Sequence, residues 1–266
     1  MKRKKYEFTG ETKNDTGRML HRIRALTNFG TVKAGDLGGW IEKEENLSQD
    51  GNCWVYGDAI VCDNALVYEN AKVFDNALIS EDSQVFGHAQ ISGHVRIFGM
   101  TSIRDNAQIF GDALIFNLAQ VYGNSTISGN ARVHGNSHVA DNAWILQDAD
   151  VYGHCRICGN AMVYGHSTVF DTLISGCSRI CGNALVSGSD KIISISNIGP
   201  WKETVTFFTT KDGGIGVVAP GDFYGEEIDT FEKWVHETHG DDKYAKIYLL
   251  SIELAKLSIN TDTEDK

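Results

Sequence analysis

Over residues 55–169 a Val or Ile returns at every sixth position, twenty times in succession: Val55, Val61, Val67, Val73, Ile79, and on through Val151, Ile157, Val163 and Val169. Four residues after each of these anchors stands a small side chain, Ala59, Ala65, Ala71, Ala77 and Ser83 being the first; eighteen of the twenty are Ala, Ser, Thr or Cys. Between the two lies a turn pair, commonly Gly-Asn, Asp-Asn, Gly-His or Gly-Asp. A period of six fits neither a helix nor a heptad. Ala59 and Val61 are two residues apart, so they share one side of a short strand, expected to span about four residues such as 59–62. Gly, and to a lesser degree Asn and Asp, accept the positive φ that a sharp corner needs. Short strands joined by such corners make a β-solenoid, in which each coil bonds only to its neighbours.

The unit V-x-G-N-A-x resembles that of the hexapeptide-repeat family. That resemblance implies a mainly β fold, a left-handed parallel β-helix with three hexads per coil; the hand and the triangular section come from it alone. The later position of Gly or Asp within the hexad is similar to a prophage-type subgroup whose members often carry only an acetyltransferase label. Twenty hexads give about seven coils, roughly 33 Å of axis at ~4.8 Å per coil.

The flanks differ from the repeat, so residues 1–50 are expected to form an N-terminal cap, 51–195 the β-helix and 196–266 a small C-terminal α+β module. In the first segment Arg18, Arg22 and Arg24 alternate with Leu20 and Ile23, as in a strand that covers the first coil's open edge. Between residues 169 and 174 the register slips by one, a deletion expected to bend a corner or to start a terminal coil of different shape. In the last segment residues 204–210 and 215–218 read as a hairpin. Asp229 and Glu232 read as a capping box, Gly240 as a helix stop, and a second helix begins near Asp242 with Tyr244, Ile247, Tyr248, Ser251 and Leu254 on one face.

Charge narrows the function. The chain carries a net −11, with −6 over 51–195 and −7 over 196–266, which argues against a nucleic-acid reader and against anionic membranes. No apolar run of about 18 residues exists. The basic start, Lys2 to Lys5, leads into Tyr6 and Glu7 instead of an apolar stretch, so no secretion signal is expected and the bacterial cytoplasm is.

Candidate chemistry is sparse. Cys155 with Cys158, and Cys177 with Cys181, have zinc-like spacing, but the register puts Cys155 inward, Cys158 outward and Cys177 at a corner, so free thiols and no metal are expected. His88, His94, His154 and His166 hold the corner place usual for Asn. The resemblance implies a His base and an acyl-CoA site beside a loop that leaves a coil; no insertion breaks the hexads here, so no catalytic or cofactor residue carries over. Eleven of the twenty residues that follow an anchor are aromatic. Phe98, Phe116, Tyr152 and Phe170 fall on one side of the triangle and form the candidate interface. The expectation is a non-enzymatic binding or assembly protein, of phage or prophage origin, that meets a protein partner such as a host-defence factor and forms a homo-oligomer. An acyl-CoA-dependent acyltransferase is the alternative, and an acidic nucleic-acid mimic the second.

Overall fold

Stacking of the hexads puts each anchor directly over the anchor 18 residues later. In the computed structural model, which describes residues 4–220 and 223–261, Ile60 and Val61 pair in parallel with Leu78 and Ile79, and these with Arg96 and Ile97. Three hexads therefore make one coil. The result is a parallel β-solenoid of about eight coils whose three faces are sheets of eleven, eight and seven strands. The first face carries the rungs Ile60–Val61 to Leu185–Ser187, the second Leu66–Val67 to Leu173–Ile174, and the third Trp54–Val55 to Arg179–Ile180. Most rungs have only two ladder residues where about four are expected, because the corner pair takes the rest of each hexad into the turn. Anchors and small residues line the interior with essentially no exposure, from Ala59 and Val61 to Ala161 and Val163.

The corners come in two forms. Asp63, Glu69, Asp75, Glu81, Asp105, Asp141 and Gln147 sit at positive φ. Each turns its side chain along the axis to accept an N–H from the next coil: Glu69 from Gly87 at 3.0 Å, Asp75 from Gly93 at 2.9 Å, Asp105 from Gly123 at 3.0 Å. Where Gly holds the corner the next coil comes closer, and a Cβ on Gly87 would meet the Asp105 backbone nitrogen at 2.7 Å.

The solenoid begins before the border expected at residue 51 and ends before the one expected at residue 195. Leu37–Ile41 already pairs in parallel with Ile60–Val61, inside the segment read as cap. The Gly38-Gly39 pair hides this rung from the repeat pattern, and a Cβ on Gly38 would strike Ile23 and Trp54 at 2.6 Å. The one-residue deletion neither ends the pairing nor shifts it. It removes an exposed corner residue, Thr172 turns inward, and Leu173 and Ile174 still pair with Arg156 and Ile157, now 17 residues away. At the far end Ile192 belongs to the first strand of the next sheet instead of to a coil.

Both ends are closed. The hairpin of Tyr6–Asp15 and Arg18–Ala25 extends the first face through Leu37–Ile41. Tyr6, Ile23, Phe29 and Trp54 fill the mouth of the first coil, with Tyr6 and Phe29 edge-on to Trp54 at 6.1 and 5.4 Å. The basic residues of this segment are drawn into the cap. Arg18 holds Asp63 with two hydrogen bonds, 2.7 and 3.0 Å, and Lys4 meets Glu44 at 2.8 Å. Lys5 donates to the Cys53 carbonyl at 3.0 Å, and burial lowers its pKa. Lys2 and Arg3 lie outside the described residues.

At the C-terminal end, four antiparallel strands, Ile192–Ile198, Glu203–Thr209, Ile215–Ala219 and Phe223–Glu227, form one sheet. Alternation splits its side chains. Phe208 and Val218 join the solenoid core, while Val205, Phe207, Val217 and Phe223 pack against two helices, α1 (Ile228–His239) and α2 (Lys243–Ser258). Thr206 Oγ1 accepts the Arg179 N–H at 3.1 Å, and the Lys211 N–H donates to the Asn183 carbonyl at 3.0 Å. The expected hairpin is thus the middle of a four-stranded sheet. Two expectations for the helices need correction. Asp229 is no N-cap: α1 begins at Ile228, straight out of a strand, and Asp229 instead reaches Lys256 at 3.4 Å. Asp242 does cap α2, accepting from the N–H groups of Tyr244 and Ala245. The buried side of α2 is Ala245, Tyr248, Ser251, Ile252 and Ala255, which turns Ile247 and Leu254 outward.

Candidate functional site

The four rings of the candidate interface stand in one column on the first face, because each is 18 residues, or 36, from the next. A coil without an aromatic hydrophobic residue on this face separates Phe116 from Tyr152. The structure joins the two parts of the column through His134, which lies between Phe116 and Tyr152. Phe98, Phe116, His134, Tyr152 and Phe170 stack in series with centroids 4.4–5.1 Å apart and planes within 13°. The step of 18 from Phe116 was the available signal for His134. Stacked in this way the rings cover one another's faces and turn their edges outward, and all five are half-buried. Beside them, Asp150 Oδ1 lies 3.1 Å from His134 Nε2, and the Arg132 guanidinium stands 5.8 Å from the Phe116 ring. Shorter stacks occur on the other faces, Tyr68 on Phe86 at 4.7 Å and Tyr56 on Phe74 at 4.5 Å.

His88, His94, His154 and His166 all sit at exposed corners. His154 takes part in a corner ladder with Asn136 at 3.4 Å, and His166 Nδ1 faces Asp148 Oδ2 at 3.4 Å. Such corner columns are elsewhere made of Asn: Asn106 donates to Asn124, Asn124 to Asn142 and Asn142 to Asn160, at 3.0–3.2 Å. The four histidines thus occupy corner ladder places, and the hexads around them run without a wall-forming loop. The corner acids lie on three separate edges with carboxylates turned onto backbone amides, not in a single row.

The cysteines are dispersed. Cys155 points inward, and burial pushes its thiol up to about 11. Cys158 is half-buried, Cys177 exposed and Cys181 buried. Burial also raises the Cys181 thiol, beside Tyr164. Among the described residues no three His, Cys, Asp or Glu side chains gather as a metal group.

Among the described residues, the most exposed apolar side chains in one line are on α2. Ile247, Leu250, Leu254 and Leu257 are 37, 65, 46 and 86% exposed. Among the described residues no helix is long and apolar enough to cross a membrane.

Fold and repeat together define a hexapeptide-repeat parallel β-solenoid. The family model of the YdcK beta-solenoid repeat matches residues 119–135 and 156–170. The chain is also similar to an Escherichia coli (strain K12) protein named Uncharacterized acetyltransferase YdcK, 39% identical over 66 residues. That match covers 22% of this chain and 19% of the relative, so the chain spans about a fifth of the length of the curated relative it matches.

Proposed function

We propose that this chain is a non-enzymatic binding or assembly protein, and that its protein partner is a second copy of itself, met through α2. The observation that carries this is the row Ile247, Leu250, Leu254, Leu257, left exposed while the opposite side of the helix is buried. Steps of three, four and three residues are those of a seam between two coiled helices. Antiparallel pairing about a two-fold near Ile252 sets Ile247 on Leu257 and Leu250 on Leu254, the self-complementary arrangement a symmetric dimer needs. Full burial of such side chains stabilises by about 1.5–3 kcal/mol each. Eight of them, part-covered already, exceed the association cost by a modest margin, as in a dimer of about micromolar affinity. The ring column of Phe98, Phe116, Tyr152 and Phe170 offers a second, narrower strip. Light scattering across a dilution series tests both. Leu250→Glu should give a monomer that still melts cooperatively, at a temperature that no longer depends on protein concentration. Dissociation by Phe116→Glu alone would move the contact to the ring column, and a wild type that is monomeric at 100 micromolar, roughly a hundred times that affinity, would refute the reading.

A second reading, an acyl-CoA-dependent acyltransferase, is favoured by the name of the Escherichia coli relative. Calorimetry with millimolar acetyl-CoA separates the two. Specific binding that is lost in His88→Ala or His154→Ala would establish the enzyme, whereas no heat is expected for the binding protein.

A further inference from the structure

Near the C-terminal end of the third face, three successive coils line an open groove of about 300 Å³, the lower end of the range for small-ligand sites. Its rim is the corner column Asn142, Asn160 and Cys177, and its wall the outward column Trp144, Met162 and Arg179.

Two polar side chains of this lining, both exposed, have donors with no protein acceptor among the described residues. The Asn ladder is directional, each Nδ2 donating to the next Oδ1, and its last bond runs from Asn142 to Asn160 at 3.2 Å. The place where the next Asn oxygen would stand is held by Cys177, so the Asn160 Nδ2 has no acceptor among the described residues. Arg179 is exposed on the last coil of this face, and its guanidinium meets no carboxylate among the described residues, unlike Arg18, Arg22 and Arg24 in the cap. The two are on adjoining coils along one groove. The remaining wall is apolar: Trp144, 45% exposed, and half-buried Met162.

The cation stands on the last coil, the amide donor and the thioether side by side on the middle one, and the indole on the first; together they select one ligand chemistry. We infer that this groove binds a carboxylate attached to a flat apolar group, with the carboxylate on Arg179 and Asn160 Nδ2 and the apolar body against Trp144 and Met162. The planar fork of Arg suits a carboxylate, and an aromatic body suits the face of an indole. This chemistry exists both in free aromatic acids and in the C-terminus of a peptide that ends in an aromatic residue. The site is independent of the α2 contact.

Cys177 on the rim is the reporter. Its alkylation by N-ethylmaleimide, followed by peptide mass spectrometry on the full chain, is compared with that of Cys158 on the second face. The probes are 3-phenylpropionate, the peptide Ala-Ala-Phe with a free C-terminus, and Ala-Ala-Phe amide, each at 10 mM. The expected result is that at least one of the two acids slows Cys177 threefold or more while Cys158 is unaffected and the amide does nothing. Arg179→Gln should remove this protection with the melting temperature unchanged. Protection by phenylpropionate alone assigns the site to small acids, and protection by the free peptide alone to a chain terminus. Equal protection by the amide, no protection by either acid, or protection that survives Arg179→Gln would each overturn the inference.

Discussion

Val121 in the solenoid and Phe231 in the C-terminal module are both fully buried, but their surroundings are built differently. Val121 lies in a column between Ile103 and Val139, its counterparts one coil before and one coil after. Phe231 is held by rings from elements scattered along the chain: Phe207 and Phe223 from two strands, Trp234 from its own helix and Tyr248 from α2, at 5.2–6.2 Å. In the solenoid a residue depends on its own hexad and the two beside it. In the module it depends on four elements being assembled at once. Damage should therefore spread along the axis in one region and through the whole unit in the other.

The largest effect is expected from Val121→Asp, which places a carboxylate in an apolar column with nothing to pair it and should destabilise by roughly 4 kcal/mol or more. Hydrogen exchange should then show amides opening in the coils on both sides of the substitution. Phe231→Ala comes next, at about 3–5 kcal/mol. It should expose residues 203–219 and 223–259 together, while coils remote from the junction stay protected. If those coils open to the same extent, the contrast between the regions is wrong.

Gly87→Asp sharpens the comparison at a corner. Asp is an ordinary corner residue in this chain, yet here its Cβ would press on the Asp105 backbone, so a loss of about 1–3 kcal/mol is expected in thermal melts. A neutral result would mean that the two corner forms interconvert freely.

The junction of cap and solenoid gives a pH-dependent test. Burial acts to raise the Asp63 pKa, but the Arg18 hydrogen bonds and the Glu81 N–H more than offset this, and the carboxyl is held below its ordinary value. A depressed folded-state pKa contributes stability that is present above the unfolded value and lost as pH falls through the folded one. That window lies below about pH 4. Asp63→Asn should cost about 1 kcal/mol at pH 7, allowing for partial exposure, and should flatten the acid limb of the stability curve. An unchanged limb would assign acid sensitivity to other carboxylates. Smallest of all, Gln120→Ala, which faces outward next to Val121, should shift stability by less than ~0.5 kcal/mol; a shift equal to that of Val121→Asp would invert the inside and outside of every rung.

These differences also decide what could be read from the chain. Each coil repeats one local rule, so the anchors and the small residues at 59, 65 and 71 reveal the interior twenty times over. The side of α2 that packs inward is stated once and ambiguously. Apolar residues occur on both sides, Ala245, Tyr248, Ile252 and Ala255 on one and Ile247, Leu250, Leu254 and Leu257 on the other. Periodicity alone favours the larger residues, whereas close packing against α1 and the sheet selects the side with two alanines. The ring column was legible except for His134, which is not counted among hydrophobic residues although its stack on Phe116 is the closest in the column, 4.4 Å. The groove could not be read at all, since it depends on Cys177 standing where a ladder of Asn ends.

The alternating corners have a consequence for how such a trunk can lengthen. Along one edge Glu69, Asp105 and Asp141 each reach forward to Gly87, Gly123 and Gly159, so a carboxylate recurs every second coil and a close-set Gly follows it. Insertion of a single copied coil would put Gly on Gly or acid on acid at this edge. Insertion of two restores every forward bond. Over residues 69–159 the repeat on this edge is therefore 36 residues, twice what the hexads suggest, and it ends where Gly176 falls on Gly159.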